Sequence, residues 1–140
     1  MQCCSRRSGY DEDIDQWALI RWRGAVKSAI SGERGQAFFR DLIAALDALP
    51  EKKLIARDLV ANDGCVCALG AVGKARSIDM SEVDPEDSDT VAGIFGIADA
   101  LAREVVYTND ECGPYQETPE ARFERVRRWA VRQLKPEPTP

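Results

Sequence analysis

Apolar residues recur along this chain with helical spacing. From Ile14, the residues Ile14, Ala18, Trp22, Ala25, Val26 and Ala29 fall on one face of a helix at about 100° per residue. Asp11, Glu12, Asp13 and Asp15 precede this face, where acids suit the positive end of a helix dipole. Ser31-Gly32 closes the helix, with the glycine expected as a left-handed cap. A second helix opens at Gly35, lines one side with Phe38, Phe39, Leu42, Ile43, Leu46 and Leu49, turns Arg40, Asp41 and Asp47 away, and stops at Pro50. The short break between them predicts an antiparallel helical hairpin.

The next stretch changes period. Leu54-Ile55 and Leu59-Val60 are short apolar pairs, Asn62-Asp63-Gly64 signals a tight turn, and Cys65-Val66-Cys67 tolerates β structure. These features predict a small two-stranded β-hairpin pairing 58–61 with 65–67. Ala68 to Ala75 reads as a short helix, and 77–89 as an acidic loop containing Pro85. Val91, Ile94, Phe95, Ala98, Leu101, Ala102 and Val105 then form one continuous stripe, which predicts a third long helix capped by Asp87 or Ser88, with Gly93 and Gly96 off the stripe. Residues 108–117 read as loop. Thr118-Pro119-Glu120 starts the last helix, whose buried side is Phe123, Val126, Ala130 and Leu134. The expected fold is mainly α: a helical bundle of about four amphipathic helices with one small two-stranded β-hairpin. The expected organisation is a flexible N-terminus over 1–10, a single helical domain over 11–134 and a Pro-rich tail over 135–140.

Composition fits that picture, with 140 residues, 44% hydrophobic and 31% charged. Histidine changes it by its absence from the whole chain, which excludes a Ser-His-Asp triad, a Cys-His pair and a Cys/His zinc knuckle. The formal charge of −5 argues against direct nucleic-acid binding by net charge. That charge is unevenly spread: residues 61–100 hold eight acids against two bases, Lys74 and Arg76. Asp79, Glu82, Asp84, Glu86, Asp87 and Asp89 are the candidate anionic surface for a basic partner; the plainer account is a solvated loop whose acids cap the next helix. Five cysteines, an odd number with Cys3-Cys4 and Cys65-x-Cys67 closely spaced, give no disulfide framework and read as reduced and intracellular. With no secretory apolar region and no long apolar run, a cytoplasmic location is expected, with no membrane association.

Few motifs carry chemistry. Gly70-Ala-Val-Gly73-Lys74 suggests a phosphate loop, but Ala68 and Ala75 stand where that motif needs Gly and Ser/Thr. It also resembles the clamp of KH domains, whose three-stranded sheet this chain lacks by pattern. Close packing accounts better for these small residues. Cys65 and Cys67, with Cys112 or Cys3-Cys4, supply thiolates, yet the C-x₂-C spacing of zinc sites is missing, so no metal and no cofactor are expected. Cys67 as a nucleophile has no histidine to serve it and sits in an apolar run. Asp87-x-Asp89 supplies too little of a calcium loop. No catalytic residue is assigned. The last helix carries Arg125, Arg128, Arg132 and Lys135 on one side beside Trp129, a candidate stripe for phosphate or an acidic protein, although Glu124 pairs with part of it at i, i+4.

Four segments taken together, Arg-Trp-Arg-Gly-Ala-Val (21–26), Arg-Gly-Gln-Ala-Phe-Phe-Arg-Asp-Leu (34–42), Ala-Ala-Leu-Asp-Ala-Leu-Pro-Glu-Lys-Lys-Leu-Ile (44–55) and Cys-Ala-Leu-Gly-Ala-Val-Gly-Lys-Ala-Arg (67–76), resemble small uncharacterised proteins encoded by bacteriophages and prophages. The resemblance runs over most of residues 5–134 and transfers no catalytic residue. It implies an accessory protein acting in the cytoplasm of a bacterial host, one that binds and modulates or inhibits a host protein or defence complex, as anti-CRISPR inhibitors do. The partner expected from it is a host protein or protein–nucleic-acid complex. The alternatives are a nucleic-acid-binding module using the basic C-terminal helix, or a small enzyme using carboxylates or Cys67.

Overall fold

The computed structural model describes residues 15–136, so the expected flexible N-terminus over 1–10 and most of the Pro-rich tail lie outside the described residues. Asp15 caps the first helix, α1 (Gln16–Ser31), its carboxylate accepting from the Ala18 N–H at 2.7 Å. Gly32 ends α1 and opens α2 (Glu33–Ala48) in an extended conformation, with φ of −73°, rather than as the expected left-handed cap, because the same residue is the N-cap of the next helix. That corner is tight: a Cβ on Gly35 would stand 2.0 Å from the Ala29 carbonyl oxygen, so only glycine fits there.

The helix α2 is the centre of the fold. It buries Phe38, Phe39, Leu42, Ala45 and Leu46, and packs against α1, α3 (Ala68–Ala75) and α6 (Pro119–Gln133). The remaining helices, α4 (Ser88–Phe95) and α5 (Asp99–Glu111), add Val91, Phe95, Leu101 and Val105 to the same core. By contrast α1 is peripheral. Val26 is its one buried residue, Trp22 lies 5.7 Å from the Arg103 guanidinium of α5, and Trp17 and Ile20 face solvent. Among the described residues, no helix is long and apolar enough to cross a membrane.

Mainly α is what the structure shows, but with six helices among the described residues rather than about four. The apolar stripe expected to form one third helix is split. Gly96, with φ of 68°, closes α4 in the left-handed conformation, and α5 begins after Ala98. Ile97 and Leu101 re-enter the core beyond the bend, so the stripe continues while the helix does not. At its other end α5 runs through Thr108 to Glu111, which the polar composition marked as loop. Buried Asn109 explains this: its amide accepts from the Ala68 N–H (3.0 Å) and donates to the Ile55 carbonyl (2.9 Å). Those distant partners satisfy a polar group that helix burial would otherwise penalise.

The expected two-stranded hairpin is also corrected. Its turn forms, with Gly64 at φ of 86°, but the pairing is a single antiparallel bridge between Val60 and Val66. The ladder ends because Cys67 is already the N-cap of α3 and its carbonyl accepts from the Ala71 N–H at 2.8 Å. The glycine pair of α3 serves packing. A Cβ on Gly70 would stand 1.9 Å from the Leu59 carbonyl oxygen, and one on Gly73 would stand 2.2 Å from the Met80 sulfur. Thr118-Pro119 starts α6 as its sequence suggests, with the Thr118 hydroxyl accepting from the Ala121 N–H at 3.1 Å.

Candidate functional site

The basic stripe of α6 does not survive as one surface. Arg125 turns inward, forking onto the Glu117 carboxylate through Nε (2.7 Å) and Nη2 (2.9 Å) and donating to the carbonyls of Thr108 and Asn109. Trp129 packs edge-on against Phe39, with ring centroids 5.2 Å apart. Both residues therefore hold the fold together, and neither is presented as a contact surface. Arg128, Arg132 and Lys135 are exposed.

Lys135 belongs to a different arrangement. Where the end of α1 meets the start of α2 and the end of α6, there is an open cleft of about 280 Å³. Arg23 and Lys27 line it from α1 and Lys135 from beyond α6, with Val26 and Ile30 as its apolar wall. Buried Gln36 ties these elements together. Its side-chain amide donates to the carbonyls of Ile30 and Gln133, both at 2.9 Å, and its Oε1 accepts from the Lys135 N–H at 2.9 Å. The Lys135 ammonium donates to the Ser31 carbonyl at 2.6 Å, at the negative end of α1. Among the described residues no carboxylate lines this cleft, and no ion pair involves Arg23, Lys27 or Lys135. Sequence reasoning missed Arg23 and Lys27. The signal was present: Arg21, Arg23 and Lys27 occur between Gln16 and Gly32 with no acid among them.

The acidic segment is where the sequence put it. Asp79, Glu82, Asp84, Glu86, Asp87 and Asp89 are all exposed. Their backbone is pinned from beneath. Ser77 turns left-handed at φ of 58°, the Ile78 N–H donates to the Gly73 carbonyl at 2.9 Å, and Met80 is buried over Gly73. Several of the acids also serve local structure. Asp79 accepts from the Ser81 N–H (3.0 Å) and hydroxyl (2.8 Å), and these bonds hold its carboxyl below the usual range. Asp84 accepts from the Glu86 N–H at 2.9 Å, Asp87 caps α4 through Thr90, and Asp89 lies in the first turn of α4. Among the described residues no ion pair joins this segment to the basic residues of α6.

The two cysteines of the turn have opposite environments. Cys67 is buried at the N-cap of α3, its Sγ accepting from the Gly70 N–H at 3.4 Å. Desolvation pushes its thiol up to about 12, the reverse of an activated nucleophile. Cys65 is half-buried in a second cleft, of about 310 Å³, shared with Glu51, Lys53, Asp63 and Lys74. The Glu51–Lys53 ion pair there (2.8 Å) raises the Lys53 pKa, as does the nearby Cys65. Asp63 accepts from the Cys65 N–H at 3.0 Å, and its bonds to Cys65 hold its carboxyl low. Among the described residues no cluster of three or more Cys, Asp or Glu is placed to hold a metal ion; Cys3 and Cys4 lie outside them.

The chain matches no protein-family model, no curated protein and no solved structure.

Proposed function

We propose that this chain is a non-catalytic accessory protein of phage type that binds and modulates a bacterial host protein or defence complex, with residues 79–89 as its contact surface. One observation carries the reading: six carboxylates stand exposed on a segment whose backbone is anchored by buried Met80 and by side-chain turns at Asp79, Asp84 and Asp87. A surface ordered before binding loses less conformational entropy when a partner docks. Its charge suits a basic groove, where the carboxylates stand in the place of phosphates, as in an inhibitor of a nucleic-acid-handling complex. The non-catalytic assignment is supported by the protonated, buried state of Cys67 and by a chain without histidine.

Capture of the partner from bacterial lysate, followed by binding kinetics, tests this reading. The variant Glu82→Lys/Glu86→Lys reverses two exposed charges while leaving the Asp79, Asp84 and Asp87 turns in place. Its association rate falls, and falls more at low salt than at high salt, because steering by exposed charges is screened over about 8–10 Å near physiological ionic strength. A folded variant with an unchanged association rate at both salt concentrations refutes the acidic surface as the contact.

A further inference from the structure

The cleft between α1, α2 and the end of α6 makes an independent case, and nothing in it rests on the acidic segment. Three cations from two separate parts of the chain line it, with no carboxylate among the described residues of its lining. Lys135 is held in place at both its ammonium and its backbone N–H, through Ser31 and Gln36. Converging positive charge in a concave, partly apolar setting attracts anions more strongly than the same charges spread over a convex surface.

The rest of the lining narrows the anion. Arg23 offers a planar fork suited to phosphate oxygens, while Lys27 and Lys135 act as point charges. A side-chain carboxylate carries a single charge and leaves three cations undermatched, whereas a terminal phosphate monoester carries about −1.5 to −2 near neutral pH. Beside the cations lies half-buried Ile30, with the edge of buried Val26 beneath it, an apolar surface for a flat, weakly polar ring. Gln133 spends one N–H on the Trp129 carbonyl at 3.0 Å; an amide has a second N–H and a carbonyl with which to meet the edge of a base. The volume of about 280 Å³ lies just under the roughly 300–1,000 Å³ usual for ligand sites, and the cleft is open, so it suits one terminal nucleotide projecting into solvent rather than an extended strand.

We propose that this cleft is a nucleotide-binding site, with the phosphates held by Arg23, Lys27 and Lys135 and the base against Val26 and Ile30. The source of the nucleotide is either a free nucleoside triphosphate or the end of a nucleic-acid strand.

Titration calorimetry on the full chain separates the outcomes, using ATP, adenosine, inorganic tripolyphosphate, a short 5′-phosphorylated oligothymidylate and a polyglutamate peptide as probes. ATP or the oligonucleotide saturates the protein, adenosine binds at least tenfold more weakly, and binding weakens with salt. Arg23→Ala/Lys27→Ala weakens the binding at least tenfold, about 1.4 kcal/mol. Circular dichroism confirms folding of the variant, which replaces two exposed residues of a peripheral helix; Lys27→Glu alone is a second, milder probe with the same expected direction. Saturation by ATP assigns a free nucleotide, and saturation by oligothymidylate alone assigns a strand end. The proposal is overturned if neither binds at millimolar concentration, or if the variants leave binding unchanged. It is equally overturned if tripolyphosphate binds as tightly as ATP, which marks a bare anion site, or if polyglutamate binds more tightly than either nucleotide ligand.

Discussion

Arg125→Ala should unfold this protein far more readily than removal of any other arginine on the same side of α6. In the folded chain the Arg125 side chain is 19% exposed and that of Glu117 only 4%. The guanidinium makes two bonds to Glu117, at 2.7 and 2.9 Å, and two more to the last carbonyls buried in α5, those of Thr108 and Asn109. It thereby joins α5, the connecting loop and α6. A second cation, Arg122, stands 3.5 Å from Glu117 and donates to the Leu54 carbonyl at 3.1 Å. The loop wraps closely around this carboxylate: a Cβ on Gly113 would lie 2.4 Å from its Oε1. Truncating Arg125 leaves Glu117 in its buried site with only the longer Arg122 contact, and strips two carbonyls of their donor. Breaking a buried pair from one side costs about 3–5 kcal/mol. Arg122 offsets part of this, so the lower figure applies, about 3 kcal/mol. With a urea slope of about 2 kcal/mol per molar, the midpoint falls by about 1.5 M.

The assay is urea denaturation followed by far-ultraviolet circular dichroism, with Arg128→Ala as the control. Arg128 is exposed, so its removal changes stability by less than about 0.5 kcal/mol. Glu117→Gln keeps the shape and removes the charge, and should also destabilise by several kcal/mol through the stranded Arg125. If Arg125→Ala shifts the midpoint no more than Arg128→Ala does, the assignment of Arg125 to the structure is wrong and the residue is available to a ligand after all.

Three further outcomes follow from local geometry. Gly96→Ala lowers stability by about 1–2 kcal/mol because φ is 68° there, whereas Gly93→Ala, in the same helix with nothing within 4 Å of the new Cβ, raises it by about 0.5–1 kcal/mol; thermal unfolding in which both move the same way contradicts the broken-helix geometry. In the native protein at about pH 8, iodoacetamide labels Cys65 ahead of Cys67, whose thiol is buried and pushed up to about 12; peptide mass spectrometry finding Cys67 labelled as fast as Cys65 overturns that order. Hydrogen bonds from Arg127, at 2.7 and 3.0 Å, hold the exposed Asp47 carboxyl below its usual range, so their stabilisation is present above the unfolded value of about 3.9 and is lost as pH falls through the folded one. Asp47→Asn accordingly costs less than about 1 kcal/mol near neutral pH and nothing in strong acid; an equal cost at both pH values rules out the ion pair as its source.

The helices that pack by one regular face were legible from residue order. Phe38, Phe39, Leu42 and Leu46 of α2, and Phe123, Val126 and Ala130 of α6, recur at helical spacing and all are buried. Thr118-Pro119 marked the start of α6 for an equally local reason, since a cap bonds to the N–H three residues on. The exposure of the acids over 79–89 followed from their charge, because an ionised carboxylate stays in water unless paired.

Where a residue had two uses, composition did not choose between them. Gly96 interrupts a stripe that reads equally well as one helix or two; the left-handed turn is selected because it returns Ile97 and Leu101 to the core. The polar end of α5 is helical because Asn109 finds partners at Ile55 and Ala68, both far away in sequence. Arg125 and Trp129 sit at the edge of an amphipathic face, where α6 spacing allows either burial or exposure, and their partners Glu117 and Phe39 settle the matter. The cationic cleft lay furthest from view, since Gln36 and Lys135 meet across 99 positions of the chain. Residue order alone determined the periodic faces, the caps and the solvated acids, because each depends on neighbours within a turn or two of backbone. Only the tertiary structure decided which arginines are structural and which converge on a cleft, because long side chains take their partners from whichever helices the core brings beside them.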